Sequence, residues 1–305
     1  MKLRIGHLST AYHTSLILMG MDIEKRMGVK PVWKLFGGGP GIVQALARGN
    51  VDLGYIGLPP AMIGIDRGTP IKCVAGGHVE GTIMIGKKSL KSLEELGDVR
   101  ETLLQLEGRA IGAPPKGSIH DVIIRDLLEK NDLKDEIEVK NFEWADFIPE
   151  AMENGELTAA VGTPPLAAIV LRTLDAKIII PASRLWPNNP SYGIIARNEL
   201  IVDHPDVIED FLEVHEEASN LIRMHPKDAA RIASQVIGMV DEDFVLQTYG
   251  ISPKYCASLS DEFVASTLAF VPVLSKLGYI SNVLTKKEIF DFRFIEKVHP
   301  EAPHY

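Results

Sequence analysis

Residues 37–60 read GGGPGIVQALARGNVDLGYIGLPP, and this run constrains the fold more than any other part of the chain. A glycine-rich turn opens onto Ile42, Val43 and Leu46 at helical spacing. A GNVD turn closes that helix, an apolar strand follows, and GLPP opens another helix. Strand, turn and helix in succession are the pattern of a parallel sheet covered by helices. The neighbouring segments continue it, with strands expected at LRIGHL, KPVWKLF, VDLGYIG and PIKCVAG. The helices between them are expected at SLILMGMDIEKRMG, GIVQALARG and PPAMIGIDRG. GTIMIGKKS reads as one more strand, after which the alternation restarts and runs to AKIIIPAS, with a helix break expected at Gly97. Two α/β units of comparable size therefore stand in series. Beyond residue 197 the chain reads as helix after helix, a tail expected to pack on one of the two units.

Composition narrows the function classes. The 305 residues are 46% hydrophobic, enough for a large core or two smaller ones. A formal net charge of −9 argues against gripping nucleic acid or an anionic membrane by bulk attraction. The two cysteines, Cys73 and Cys256, are far apart and form no CxxC pair, so both read as small buried hydrophobes, with neither a disulfide framework nor a thiolate metal site expected. The N-terminal run reads as a strand; His7, Ser9, Thr10 and His13 break the apolar core that a signal peptide needs. This leaves an extracytoplasmic location if a leader has been removed and a cytoplasmic one otherwise. No segment has the length and apolarity of a membrane span, so no direct insertion is expected.

In open parallel sheets ligands bind beyond the carboxyl ends of the strands, which selects the loops. The first loop carries Ser9, Thr10, Tyr12 and His13, the second Gly38 and Gly39, the third Gly57, Leu58 and Pro59, and the fourth His78. In the second unit the corresponding residues are Lys116, Gly117, Ser118 and His120, then Thr163 and Pro164, then Arg184 and Trp186. Glycines admit a close backbone approach, helix starts offer unpaired N–H groups, and Ser118 with Asp121 reads as an N-cap. Lys116 and Arg184 are candidate partners for an anionic group, and Tyr12 and Trp186 candidate walls for an organic one. Every one of these residues also has an ordinary role in turns or packing; the combination carries the argument. LARGNVDLGYIGLPP (46–60) is echoed by MENGELTAAVGTPP (152–165), as if equivalent turns faced each other from two similar lobes. His13, His78 and His120 lack any metal-ligand spacing motif, so hydrogen bonding is expected of them and no metal or cofactor. No nucleophile elbow, phosphate loop or dinucleotide fingerprint is present, and GGGPG lacks the Lys-Ser/Thr of a phosphate loop.

The run FGGGPGIVQALARGNVDLGYIGLPPAMIGIDRGTPIKCVAG resembles the core signature of substrate-binding proteins of nitrate/sulfonate/taurine ABC importers, a group that includes thiamine-precursor (pyrimidine) proteins. SLEELGDVRETLLQLEGRAIGAPPKGS, AMENGELTAAVGTPPLAAIV and the C-terminal HP-broken helices extend the likeness. The resemblance implies a periplasmic-binding-protein type II fold: lobe one at 1–86 and 186–305, with the C-terminal helices, and lobe two at 87–185. It implies crossovers near MIGKKS and IPASRLWPNNPSYG. It also implies capture of a small polar, anionic or heteroaromatic, metabolite by hinge closure, and an ABC permease as partner. The cysteine-rich motif of the pyrimidine-synthesising branch is absent. A lyase-like enzyme or a cytoplasmic sensor on the same fold are the alternatives, and the missing catalytic pairings favour a binding role over an enzyme.

Overall fold

A computed structural model describes residues 1–305 as two five-stranded sheets with helices on their faces. The first sheet begins with β1 (Lys2–Leu8), β2 (Lys30–Phe36), β3 (Leu53–Ile56) and β4 (Ile71–Val79). Between them lie α1 (Thr14–Gly20), α2 (Glu24–Met27), α3 (Gly39–Ala47) and α4 (Leu58–Asp66). The second sheet is built from β5 (Ile83–Lys87), β6 (Ala110–Ala113), β7 (Glu138–Asn141), β8 (Ala159–Gly162) and β9 (Ala176–Ile180). Its helices are α5 (Leu93–Leu96), α6 (Val99–Leu104), α7 (Ile119–Lys130), α8 (Ile148–Glu153), α9 (Pro164–Thr173) and α10 (Ala182–Leu185). The chain then returns as β10 (Pro190–Arg197) into the first sheet.

The strand orders are β2-β1-β3-β10-β4 and β7-β6-β8-β5-β9. β1 pairs parallel with β2 and β3, while β10 lies antiparallel to both β3 and β4. The second sheet repeats the plan, with β5 antiparallel to β8 and β9. The sheets are therefore mixed: in each, one strand that has just crossed over is inserted against the run of the others. Local pattern identifies β5 as a strand but not the sheet it joins. It pairs wholly within the second sheet, so the first crossing lies at residues 80–82 rather than in MIGKKS, and the return follows α10 at 186–189. The two crossing segments lie side by side. Glu80 N–H donates to the Asn189 carbonyl at 2.9 Å, and Asn188 N–H to Glu80 Oε1 at 3.1 Å. Glu80 and Asn188 both hold left-handed backbone, φ 61° and 54°, an uncommon conformation outside glycine.

Local chemistry explains the individual elements. β3 is buried along its whole length, as an inner strand covered on both faces must be. α3 lays Ile42 and Leu46 into the core, both with no exposed surface. The predicted break at Gly97 is present: this glycine, at φ 73°, ends α5, and Asp98 caps α6. Ser118 caps α7 by accepting the Asp121 N–H at 3.3 Å. At the base of the first sheet Asp52, just before β3, accepts the backbone N–H of Arg4 and its Nε at 2.9 Å, and contacts Nη2 at 2.5 Å.

The tail comprises α11 (Asn198–Asp203), α12 (Pro205–Met224), α13 (Pro226–Ile237), α14 (Glu242–Ile251), α15 (Asp261–Lys276), α16 (Lys286–Ile289) and α17 (Ile295–Val298). It does not rest on one unit alone, as the sequence led us to expect. α12 and α13 pack on α1 of the first lobe, α14 packs on α9 of the second, and Arg172 of α9 pairs with Asp241 at 3.1 Å. Amphipathic periodicity reports that a helix has a buried face, not which neighbour covers it. Removing the Asp52 carboxylate leaves the Arg4 N–H, Nε and Nη2 without an acceptor at a partly solvated site, while Nη1 keeps the Gly49 carbonyl. Asp52→Ala is therefore expected to lower the unfolding free energy by about 1–2 kcal/mol, read as a lower urea midpoint at unchanged slope.

Candidate functional site

The loops at the facing ends of the two sheets enclose a cavity of about 620 Å³. From the first lobe it is lined by Ser9, Thr10, Tyr12 and His13, by the Gly38–Gly39 turn and by Gly57 with Pro60. From the second come Ser118 and His120, Thr163 with Pro165, and Trp144 with Asp146. The two turns of the internal echo, GLPP and GTPP, thus contribute to one cavity from opposite lobes. The end of α13, the link after it and the start of α14 add Val236, Ile237, Val240 and Phe244, giving much of the wall an apolar character.

The lobes touch. Ser9 Oγ donates to Asp146 Oδ2 across the cleft at 3.0 Å. A Cβ at Gly38 would lie 2.7 Å from Pro115 Cγ, and one at Gly57 would lie 3.1 Å from both Ile119 Cγ2 and the Ser191 carbonyl. Both glycines have backbone any residue adopts, φ −166° and −62°. The need for glycine here is one of space between lobes rather than of conformation. The leading glycine turn is a contact surface for the second lobe.

The floor is a cluster of aromatic rings and histidines. Tyr12 packs edge-on against His13 and His78 at 4.6 and 4.9 Å, and His13 lies 4.2 Å from Tyr192. Behind them Thr14 Oγ1 bonds His215 Nδ1 at 2.9 Å, while His215 Nε2 donates to the Gly76 carbonyl at 2.9 Å. His120 Nδ1 bonds Thr82 Oγ1 at 2.9 Å. Burial penalises the charged imidazolium, holding His120 down to about 3 and His78 to about 4. His13 is held well below its ordinary value by burial first and then by the neighbouring histidines. These rings are neutral near pH 7. Two buried polar atoms of the lining, Thr10 Oγ1 and His13 Nδ1, have no partner in the protein and face the need for one from a ligand.

The donor supply is restricted. No lysine or arginine lines the cavity. Helix starts normally offer free N–H groups, but α4 opens Leu58-Pro59-Pro60 and α9 opens Pro164-Pro165, which removes most of them. The one N–H following Pro165, that of Leu166, is capped by Thr163 Oγ1 at 3.4 Å. α7 differs: it begins with the amides of Ile119 and His120, which have no acceptor within their own helix.

Several residues singled out from sequence do not line the cavity. His78 sits behind Tyr12, fully buried, its Nε2 donating to the Ser252 carbonyl at 2.8 Å. Leu58 and Pro59 are buried in the first lobe and Pro164 in the second. Lys116 points to solvent, and Gly117 turns the chain at φ 81° while donating its N–H to Asp121. Arg184 is exposed on α10, and Trp186 stacks on Phe270 at 3.9 Å with Nε1 bonded to Ser266. In the other direction, Leu8, Leu16, Ser191 and the residues around 236–244 line the cavity with no local signal in the sequence to mark them. Trp144 could be found, since it stands in the loop after β7.

The sequence model of the NMT1-like family matches residues 1–238. A Brucella abortus protein named as a candidate binding protein is 25% identical over 93% of this chain and 92% of its own length. The ligand-binding component of an ABC-type import system of Staphylococcus aureus, solved with zinc bound, has a TM-score of 0.82 at 17% identity, over 99% of this chain and 100% of that one. The periplasmic aliphatic sulphonate binding protein SsuA of Escherichia coli has a TM-score of 0.78 at 18% identity, over 95% of this chain and 92% of that one. The fold is that of the two-lobed periplasmic binding proteins of type II.

Two outcomes follow from this geometry. Gly38→Ala should hold the lobes apart while leaving the fold intact, giving a larger radius of gyration in solution scattering and roughly tenfold weaker retention of a cleft ligand, ~1.4 kcal/mol. The buried neutral histidines also set a pH dependence. The unfolded chain takes up protons on these rings below about pH 6.5, while His120 in the folded chain resists down to about 3. Stability is therefore full above the unfolded value and declines as the pH falls through that window, by up to about 1.4 kcal/mol per pH unit per ring. The urea midpoint should drop between pH 7 and pH 5, and His120→Gln should flatten the dependence.

Proposed function

The chain belongs to the NMT1-like family, and from that premise we propose that it is the solute-binding component of an ABC importer, capturing a small molecule between its lobes by hinge closure. The observation that carries this reading is the cavity itself: its lining comes from both lobes, which meet around it through Ser9 and Asp146, Gly38 and Pro115. A ligand that contacts both walls does so only when the lobes are together, so it draws the open–closed equilibrium toward the closed form by its differential affinity. A permease that recognises the closed form would then receive loaded protein. We place the protein outside the cytoplasm, in keeping with the periplasmic description of the E. coli relative.

The cavity chemistry specifies the kind of solute. Apolar walls and neutral rings favour a ligand with an aliphatic or heteroaromatic body. Its polar or anionic head is met by N–H groups at the start of α7, by Thr10 Oγ1 and by His13 Nδ1, without a lysine or arginine counter-charge. A bare inorganic anion, lacking a body to fill the cavity, gains little from such walls. Thr10, His13, Ser118, His120 and Thr163 are the residues we assign to ligand contact. A thermal-shift panel tests this with alkyl- and arylsulfonates, taurine, thiamine-precursor pyrimidines, nitrate and bicarbonate. A solute with an apolar body should raise the melting temperature, by the equivalent of about 2.7 kcal/mol at a hundredfold excess over its Kd, and should compact the chain in scattering. Stabilisation by nitrate or bicarbonate alone would sink the assignment of ligand class. A hit that leaves the radius unchanged would sink hinge closure.

A further inference from the structure

Away from the cleft, three side chains from distant parts of the sequence meet. Cys256 Sγ lies 3.6 Å from His299 Nε2 and 3.5 Å from His304 Nδ1. In a tetrahedral zinc site, Zn–S near 2.3 Å and Zn–N near 2.05 Å place sulfur and nitrogen about 3.6 Å apart, so the separations are those of two edges of such a tetrahedron. The three ligand atoms all lie within 4.8 Å of one another. A carboxylate stands behind the nearer ring: Glu216 of α12 brings Oε1 to 3.2 Å from His299 Nδ1, a buried ring nitrogen with no hydrogen-bond partner of its own, on the opposite side of the ring from the sulfur. Carboxylate–imidazole pairing of this kind orients a metal-ligating histidine and raises its basicity.

We propose that Cys256, His299 and His304 form a binding site for a zinc-like divalent cation, with Glu216 as the orienting carboxylate and the fourth position left to water. The site is largely preorganised. Cys256 is held to β4 by its N–H bond to the Gly77 carbonyl at 3.2 Å, and Ala257 accepts the Gly76 N–H at 2.8 Å. His299 closes α17, donating its N–H to the Ile295 carbonyl at 2.8 Å, and is 4% exposed. Only His304 comes from the exposed terminal segment, whose next residue, Tyr305, reaches Ser260 Oγ at 3.4 Å. Binding would expel the Cys256 proton to solvent and leave a thiolate on the metal. Burial raises the free thiol's pKa, so uptake should strengthen with rising pH. Arg223, also of α12, places a positive charge near the same sulfur, which Glu216 opposes. The cation would tie the terminal segment to the loop that backs His78, on the far side of β4 from the cleft.

The test uses the metal-stripped full chain titrated with Zn²⁺, and with Co²⁺ as a spectroscopic substitute. One equivalent should bind, and the cobalt form should show a thiolate-to-metal charge-transfer band in the near ultraviolet. His304→Ala removes an exposed side chain and so preserves the fold, checked by an unchanged urea midpoint without metal. It should weaken Zn²⁺ by at least tenfold, and Glu216→Gln by about 10- to 100-fold. His120→Ala, in the cleft, should retain the cobalt band. A cobalt spectrum without thiolate ligation, wild-type affinity in His304→Ala, binding that disappears in His120→Ala, or no uptake at a tenfold excess of Zn²⁺ would each overturn the proposal.

Discussion

The two strands of chain that pass between the sheets run side by side, and the rest of the molecule depends on that pairing. Residues 80–82 and 186–189 are joined by the Glu80–Asn189 and Asn188–Glu80 hydrogen bonds, with left-handed backbone at Glu80 and Asn188. Left-handed backbone at a non-glycine residue persists only where its surroundings over-determine it. Here it is held at the point where two lobes must keep a common axis. From that axis each sheet aims the ends of its strands at the other, and the cavity is what remains between them. The tail helices reinforce the arrangement by bearing on both lobes rather than one.

Within the cavity, one physical theme recurs: polarity without charge. The histidines are neutral because burial withholds the water an imidazolium needs. Proline pairs at two helix starts delete the N–H donors that would otherwise draw an anion, and no basic side chain compensates. α7 opens without a proline and keeps the amides of Ile119 and His120 without a helix acceptor. Such a site discriminates by shape, by apolar contact and by a few hydrogen bonds. Relatives named for sulfonates share the frame, yet a frame at this level of identity conveys fold and leaves the lining to each chain.

Much of this was legible in the residues. The alternation of strands and helices, the restart of the pattern, the cap at Ser118, the break at Gly97 and the GLPP/GTPP echo all rest on local rules, and local rules are carried by nearby residues. Ten of the loop residues selected from sequence do line the cavity, among them His13, Gly38, Ser118 and His120. The failures share a cause. His78 and Trp186 stand in the right loops, but their rings turn to Tyr12 and Phe270, partners the loop does not contain. β5 reads as a strand, but its sheet is chosen by pairing with β8 and β9. Cys256 is buried, as its residue type suggests, while the two histidines beside it lie more than forty positions away and leave no local signal.

The sequence by itself determined the kinds of element, their order, the turns that face the cavity and the absence of bulk positive charge. It did so because periodicity, capping and turn chemistry act over a few residues. Only the tertiary structure decided which strands share a sheet, where the chain crosses, which rings line the cavity and which cysteine lies beside two histidines. Those outcomes depend on the distance between groups remote in sequence, a quantity set when the two lobes and the tail pack together.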